Sequence, residues 1–231
     1  MTSTAGFAFQ PVEAPSLPIR GSALRAPVHR IYCIGRNYEA HAVEMGHDPS
    51  KEPPFFFQKN PGNLLCGRDF PYPPETSDVH HEIEMVAVLS KGGKNIAVAD
   101  ALGHVFGYGV GLDMTRRDLQ GEAKKLGRPW EVGKAFEHSA PCSEIVPAGE
   151  VGHPDHGAIR LKVNGEVRQQ GDLNQMIWKT AEQVAILSRY FELQPGDVIF
   201  TGTPSGVGPV KRGDELEGFV EGVGSLRLKV V

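Results

Sequence analysis

The stretch His80-His81-Glu82-Ile83-Glu84-Met85-Val86-Ala87-Val88-Leu89 opens with a Glu-x-Glu pair and continues in β-branched and other apolar residues, the pattern of a strand. Side chains two apart on a strand leave the same face, so Glu82 and Glu84 are expected to point together. Two like charges aimed at one spot repel unless a cation lies between them. A third carboxylate, Asp113, ends the apolar run Phe106-Gly-Tyr-Gly-Val-Gly-Leu112. The hypothesis that organises the chain is that Glu82, Glu84 and Asp113 hold one hard divalent ion. Acidic pairs at strand ends are also common as plain solvated groups, so the pair alone does not establish a metal site.

Outward from this stretch, the totals narrow the classes. The chain has 231 residues, enough for one large domain or two small ones. Its net charge is −4 and no block of Lys or Arg could track a phosphate backbone, which argues against a nucleic-acid partner. No apolar run approaches the roughly 18–20 residues that span a bilayer, so no membrane partner is expected. The first residues, Met-Thr-Ser-Thr-Ala-Gly-Phe-Ala, lack the basic start and apolar core of a secretion signal. Cys33, Cys66 and Cys142 are widely spaced and form neither a zinc pattern nor a disulfide framework, which places the protein in a reducing cytoplasm. The 28 Gly and 18 Pro point to many turns and short strands. The expected fold class is α+β, mostly β, in one domain with a few short helices.

Residues 1–27, with Pro11, Pro15, Pro18 and Pro27, read as an extended arm with room for one short strand. Arg30 to Ile34 reads as a buried strand, and Glu39 to Met45 as a helix that makes His41 and Glu44 neighbours on one face. That pair is either an exposed contact or a general base with its orienting carboxylate. Pro53 to Lys59 is an aromatic strand ending in a lone Lys. A helix from Met114 to Lys125, with Thr115 as N-cap, would put Arg116, Arg117 and Gln120 within a turn of the proposed ion. Asn164-Gly165 predicts a type I′ hairpin across residues 158–170. Thr180-Ala-Glu-Gln183 resembles a capping box ahead of an apolar stripe at Val184, Leu187 and Phe191. The loop Thr201-Gly-Thr-Pro-Ser-Gly-Val-Gly208 lacks the Lys-Ser/Thr ending of a phosphate loop, which excludes the nucleotide reading. Backbone N–H groups lent to an anion stay open there. Three carboxylates suit Mg²⁺ or Mn²⁺; His80 and His81 keep zinc open.

Seven signatures occur together in order: Gly35-Arg-Asn-Tyr-Glu-Ala-His41-Ala-Val-Glu44; Phe57-Gln-Lys59; His81-Glu82-Ile-Glu84; Asp113-Met-Thr-Arg-Arg117-Asp-Leu-Gln120; Lys134; Val163-Asn-Gly-Glu-Val-Arg-Gln169; and Pro195-Gly-Asp-Val-Ile-Phe-Thr-Gly-Thr203-Pro-Ser-Gly-Val-Gly208. Over residues 28–231 the chain resembles the fumarylacetoacetate hydrolase family, and within it the fumarylpyruvate hydrolase and acylpyruvase branch. Asn60 departs from the Pro that commonly follows the Lys. The resemblance implies a mixed β-roll core, a single catalytic domain over 28–231, one Mg²⁺ or Mn²⁺ ion, and a homodimer. It implies hydrolysis of a C–C bond in a 2,4-diketo acid, with fumarylpyruvate giving fumarate and pyruvate. It further implies Glu82, Glu84 and Asp113 as metal ligands, His41 and Glu44 as the water-activating dyad, and Lys134 as the electrophilic partner. Arg36, Lys59, Arg117, Gln120 and Thr203 would line the substrate pocket, and Arg36, Lys59, Arg116 and Arg117 are candidates for a second substrate carboxylate. An acylpyruvase or oxaloacetate decarboxylase on the same metal site is one alternative reading, and a non-catalytic binding module of the same fold is another.

Overall fold

The strand Ile83–Leu89 lies third in a six-stranded mixed sheet, and all seven of its residues are buried. The structure, a computed structural model, describes residues 6–46, 48, 54–67 and 69–231; Glu52 and Pro53, which precede the aromatic strand, lie outside these. The sheet runs Val146–Pro147, Val105–Leu112, Ile83–Leu89, Asp197–Phe200, Arg30–Gly35, Phe55–Lys59. Asp197–Phe200 and Arg30–Gly35 pair in parallel and the other neighbours are antiparallel. Met85, Ala87 and Leu89 enter the larger of two apolar cores, while Val86 and Val88 enter the smaller. Both faces of the sheet are therefore covered, which is why the run after Glu84 is continuously apolar rather than alternating.

A four-stranded antiparallel sheet, ordered Glu166–Asp172, Ala158–Val163, Glu215–Val220, Gly224–Lys229, packs over the larger core through Leu161, Leu216 and Leu226. The two sheets approach closely at Gly218, where an added Cβ would come within 2.6 Å of Ile83 Cδ1. The hairpin turn at Asn164-Gly165 has φ of 53° and 82°, as the type I′ turn requires. On the other face, within the segment expected to be an extended arm, Ser16–Pro18 pairs antiparallel with Arg25–Pro27 and seats Leu17 in the smaller core. The sheets remain open, and the helices are few and short. The protein is thus mostly β, with the mixed β-roll core expected of the α+β class.

Three local expectations are corrected. The Glu-x-Glu strand is broken at Glu82: Val79–His81 pairs with Gly208–Val210 and Thr115–Arg116 in a separate three-stranded sheet. Glu82 thus stands at the joint between two sheets. Thr115 is not a helix cap, because its backbone pairs with His80 and the helix begins later, spanning Arg117–Lys125. In the Thr180–Tyr190 helix the capping contact sits one residue early, where the Lys179 N–H donates to Glu182 Oε2 at 2.8 Å. Thr180 is already helical and buried, so its hydroxyl cannot turn back to cap.

Candidate active site and metal centre

Glu82 follows the Val79–His81 strand, Glu84 is the second residue of Ile83–Leu89, and Asp113 follows Val105–Leu112. The pairing of Glu84 with Gly111 and of Ile83 with Leu112 delivers all three carboxylates to one end of a strand pair. Each is buried, and one oxygen from each lies within 4.8 Å of the others. His80 and His81 are not part of this cluster. His80 lies between Asp78, 2.9 Å from its Nε2, and the Arg117 Nε–H, 3.3 Å from its Nδ1. His81 Nδ1 lies 2.9 Å from Gln169 Oε1.

Three cations surround the cluster. Lys134 Nζ donates to Glu82 Oε2 at 2.9 Å and to Asp113 Oδ2 at 2.7 Å. Arg117 reaches Glu82 Oε1 at 2.5 Å and Gln120 Oε1 at 2.7 Å. Lys59 is fully buried behind Asp113, 2.8 Å from Oδ1, and donates to the carbonyls of Met114 and Lys134. That approach makes an ion pair with Asp113 Oδ1 but not a directed hydrogen bond, so the oxygen keeps lone pairs for another electropositive partner. Burial opposes ionisation of Glu82, but chiefly the charges of Lys134 and Arg117 outweigh it and hold its carboxyl below the usual range. Glu84 behaves oppositely: burial, then the charges on Asp113 and Glu82, push its carboxyl well above that range. Among the described residues no cationic side chain pairs with Glu84, whose Oε2 accepts the Gly202 N–H at 2.7 Å. Hard oxygen donors, a carboxylate without a cation and an oxygen without a directed donor fit a Mg²⁺- or Mn²⁺-sized ion.

His41, on the Glu39–Glu44 helix, is buried, and its Nδ1 lies 3.1 Å from Glu44 Oε2. Glu44 stands behind the imidazole and also accepts the Gly206 N–H at 3.2 Å. The loop between Phe200 and Gly208 thus lends its N–H groups to two of the protein's own carboxylates, Glu84 and Glu44. Gly202 has φ of 104°, and an added Cβ would stand 2.5 Å from Asn37 Cβ. Asn37 cannot yield, since its amide bonds the backbone of Trp178 and the Thr201 carbonyl. Gly202→Ala is expected to destabilise the protein by about 1–3 kcal/mol. Thermal unfolding checks this; an unchanged Tm would refute it.

Gln169 fixes Thr203. Its Oε1 accepts the Ile83 N–H at 3.0 Å and its Nε2 donates to the Pro204 carbonyl at 2.9 Å, so the amide has one satisfactory orientation. Nε2 then also donates to Thr203 Oγ1 at 2.8 Å. The Thr203 hydroxyl is an acceptor toward Gln169, which leaves its hydrogen for an acceptor in the cleft.

One cleft joins these groups. Arg36, His41, Glu82, Glu84, Asp113, Arg117, Gln120, Lys134 and Thr203 line it. Glu44 and Lys59 do not: each stands behind a lining residue. Arg116 is turned from it, with its guanidinium 4.5 Å over the Phe136 ring. The sequence reading missed Lys124 and Trp130, which also line the cleft. The signal for Lys124 was present, because Arg117, Gln120 and Lys124 fall at i, i+3 and i+7 on one helical face. Trp130 meets Phe55 edge-on at 5.6 Å and Phe57 at 5.8 Å, forming an aromatic wall.

A buried carboxylate triad beside a His–Glu pair and a lysine, on a mixed β-roll, describes a metal-assisted enzyme acting on small molecules. The chain belongs to the fumarylacetoacetate hydrolase family: the family model "Fumarylacetoacetate (FAA) hydrolase C-terminal" matches residues 30–231. It is 46% identical over 184 residues to a fumarylpyruvate hydrolase of a Ralstonia species, covering 79% of this chain and 95% of that one. It is 42% identical over 200 residues to the oxaloacetate tautomerase YcgM of Escherichia coli K12, covering 85% of this chain and 90% of that one. Among solved structures, the fumarylpyruvate hydrolase of Pseudomonas aeruginosa in complex with Mn²⁺ and pyruvate superposes with a TM-score of 0.96 at 52% identity, over 98% of this chain and 99% of that one.

Proposed function

We propose that this protein hydrolyses the C–C bond of a 2,4-diketo acid, with fumarylpyruvate and water giving fumarate and pyruvate. The observation that carries the reading is the opening of the triad, His41 and Lys134 onto one cleft. Glu82, Glu84 and Asp113 would hold one Mg²⁺ or Mn²⁺ ion. Such an ion supplies Lewis acidity to the carboxylate and 2-oxo group at the pyruvyl end of the substrate.

His41 has the proton work. With Nδ1–H donating to Glu44, Nε2 carries the lone pair, and it takes a proton from water as the oxygen adds to the distal carbonyl carbon. Collapse of the adduct breaks the bond to the methylene carbon; the electron pair leaves as the enolate of pyruvate, which takes at that carbon the proton His41 removed from water, returning the imidazole to its neutral form. The Lys134 ammonium sets a fixed positive charge beside the developing oxyanion. Arg117, held by Glu82 and Gln120, and the Thr203 hydroxyl orient the substrate's oxygens. Lys59 supports Asp113 from behind. Glu82 and Asp113 are already met by Lys134, Arg117 and Lys59, so a divalent ion would answer Glu84, the carboxylate without a cation among the described residues, and leave positive charge for the pyruvyl carboxylate and the forming enolate.

The same groups support a second reading, because a relative at 42% identity carries the name oxaloacetate tautomerase. Moving a proton between the carbon and oxygen of oxaloacetate needs the base but no attacking water. It stands beside the decarboxylase as an alternative on oxaloacetate. Steady-state rates on fumarylpyruvate, maleylpyruvate, acetylpyruvate and oxaloacetate, side by side, decide the matter. Fumarylpyruvate is expected to have the highest kcat/KM; turnover confined to oxaloacetate would reject the hydrolase reading.

We also assign residues 28–231 to one catalytic domain preceded by an arm over 1–27, acting in the cytoplasm as a homodimer. Cys33, Cys66 and Cys142 are all free thiols, which accords with a reducing compartment. No helix among the described residues is long and apolar enough to cross a membrane. The homodimer rests on the family resemblance.

A further inference from the structure

We propose that Lys124, with Arg36 beside it, binds the carboxylate at the far end of the substrate and so selects dicarboxylic diketo acids over those with an uncharged acyl end. The inference rests on the hydrolase reading above and names the part of the site that sets its substrate class.

Lys134, Lys59 and Arg117 are each committed to a carboxylate of the triad. Lys124 is not: its ammonium makes no ion pair with any described carboxylate and stands 4.9 Å over the Trp130 ring. Arg36 stands 4.9 Å over the Phe55 ring, and Phe55 packs edge-on against Trp130. Two cations thus rest on one aromatic wall and line the same cleft as the triad. Burial, then the charges of Arg117, Arg36 and Lys134, with Glu82 opposing, lower the Lys124 ammonium to about 8. A half-buried ammonium facing like charges is relieved by an anion brought to it. The pyruvyl carboxylate belongs to the triad's end of the cleft, which leaves the acyl end for this pair. Fumarylpyruvate carries a carboxylate there and acetylpyruvate carries a methyl group.

The test compares those two substrates on the Mn²⁺-loaded enzyme. Lys124→Met keeps an unbranched stem against Trp130 and removes the charge. It is expected to lower kcat/KM for fumarylpyruvate by about 10–100-fold, the worth of a charged hydrogen bond, and to leave acetylpyruvate unchanged. Lys124→Arg should restore most of the loss. In the wild type the ratio of the two kcat/KM values should fall as pH rises through about 8, and in Lys124→Met it should be flat. Of the charged groups that face Lys124, Arg117, Lys134 and Glu82 serve both substrates, so the ratio cancels them; Arg36 shares the far carboxylate with Lys124 and is present in wild type and Lys124→Met alike, so the comparison of the two isolates Lys124. Equal losses on both substrates, or no loss on either, would overturn the proposal. Should the wild type hydrolyse neither substrate, the hydrolase reading fails. Calorimetric Kd values for the two compounds then read this inference alone: weakened binding of fumarylpyruvate only would uphold it, and unchanged or equally weakened binding would reject it.

Discussion

His41→Ala is expected to lower kcat on fumarylpyruvate by roughly 10²–10⁴-fold, the usual worth of a positioned general base. The imidazole is buried at the cleft, and its hydrogen-bond partner Glu44 is held independently by the Gly206 N–H. Its removal therefore leaves the loop anchored and the triad untouched. Mn²⁺ affinity and Tm should stay close to wild type, which separates loss of proton transfer from loss of fold. Glu44→Gln keeps the shape of the orienting side chain and removes its charge, so its defect should be smaller. A near-native kcat in His41→Ala would end the dyad assignment, and a variant that failed to bind Mn²⁺ would show a structural role for His41 instead.

Removal of the divalent ion is expected to abolish turnover outright, with Mg²⁺ or Mn²⁺ restoring it. Without a cation at Glu84, its carboxyl has among the described residues only the Gly202 N–H as donor, while Asp113 and Glu82 crowd it with negative charge. The ion should also stabilise the fold by mass action, about 4 kcal/mol at a thousand times its Kd. Dialysis against EDTA, followed by activity and melting curves with and without added Mn²⁺, reads both effects. Undiminished hydrolysis after exhaustive chelation would exclude a role for the ion.

The triad was legible because its logic is local: two carboxylates at strand spacing, and a third where a Gly-rich apolar strand stops. The Asn164-Gly165 turn was legible for the same reason, since positive φ at two consecutive residues is a demand on those residues alone. Tertiary context decided the rest. Thr115 stands before a helix, as a cap should, yet a neighbouring strand claims its backbone and Glu82 lies 3.2 Å from its hydroxyl. Lys59 reads as a lysine bound for solvent or substrate; it is buried because Asp113 and two carbonyls from distant segments meet it there. Lys124 could have been found from helical spacing, but its significance depends on a wall assembled from Phe55, Phe57 and Trp130. Gln169 lies in a β-hairpin whose pattern gives no hint that one amide would fix the hydroxyl of Thr203.

The segment from Thr201 to Gly208 tethers Glu84, a proposed metal ligand, at Gly202 and Glu44, the partner of the proposed proton acceptor, at Gly206. The two halves of the chemistry therefore share one mooring. Any change that slackens it loosens ion retention and base alignment together, so damage in this segment should look like simultaneous failure of both functions rather than a graded loss of one.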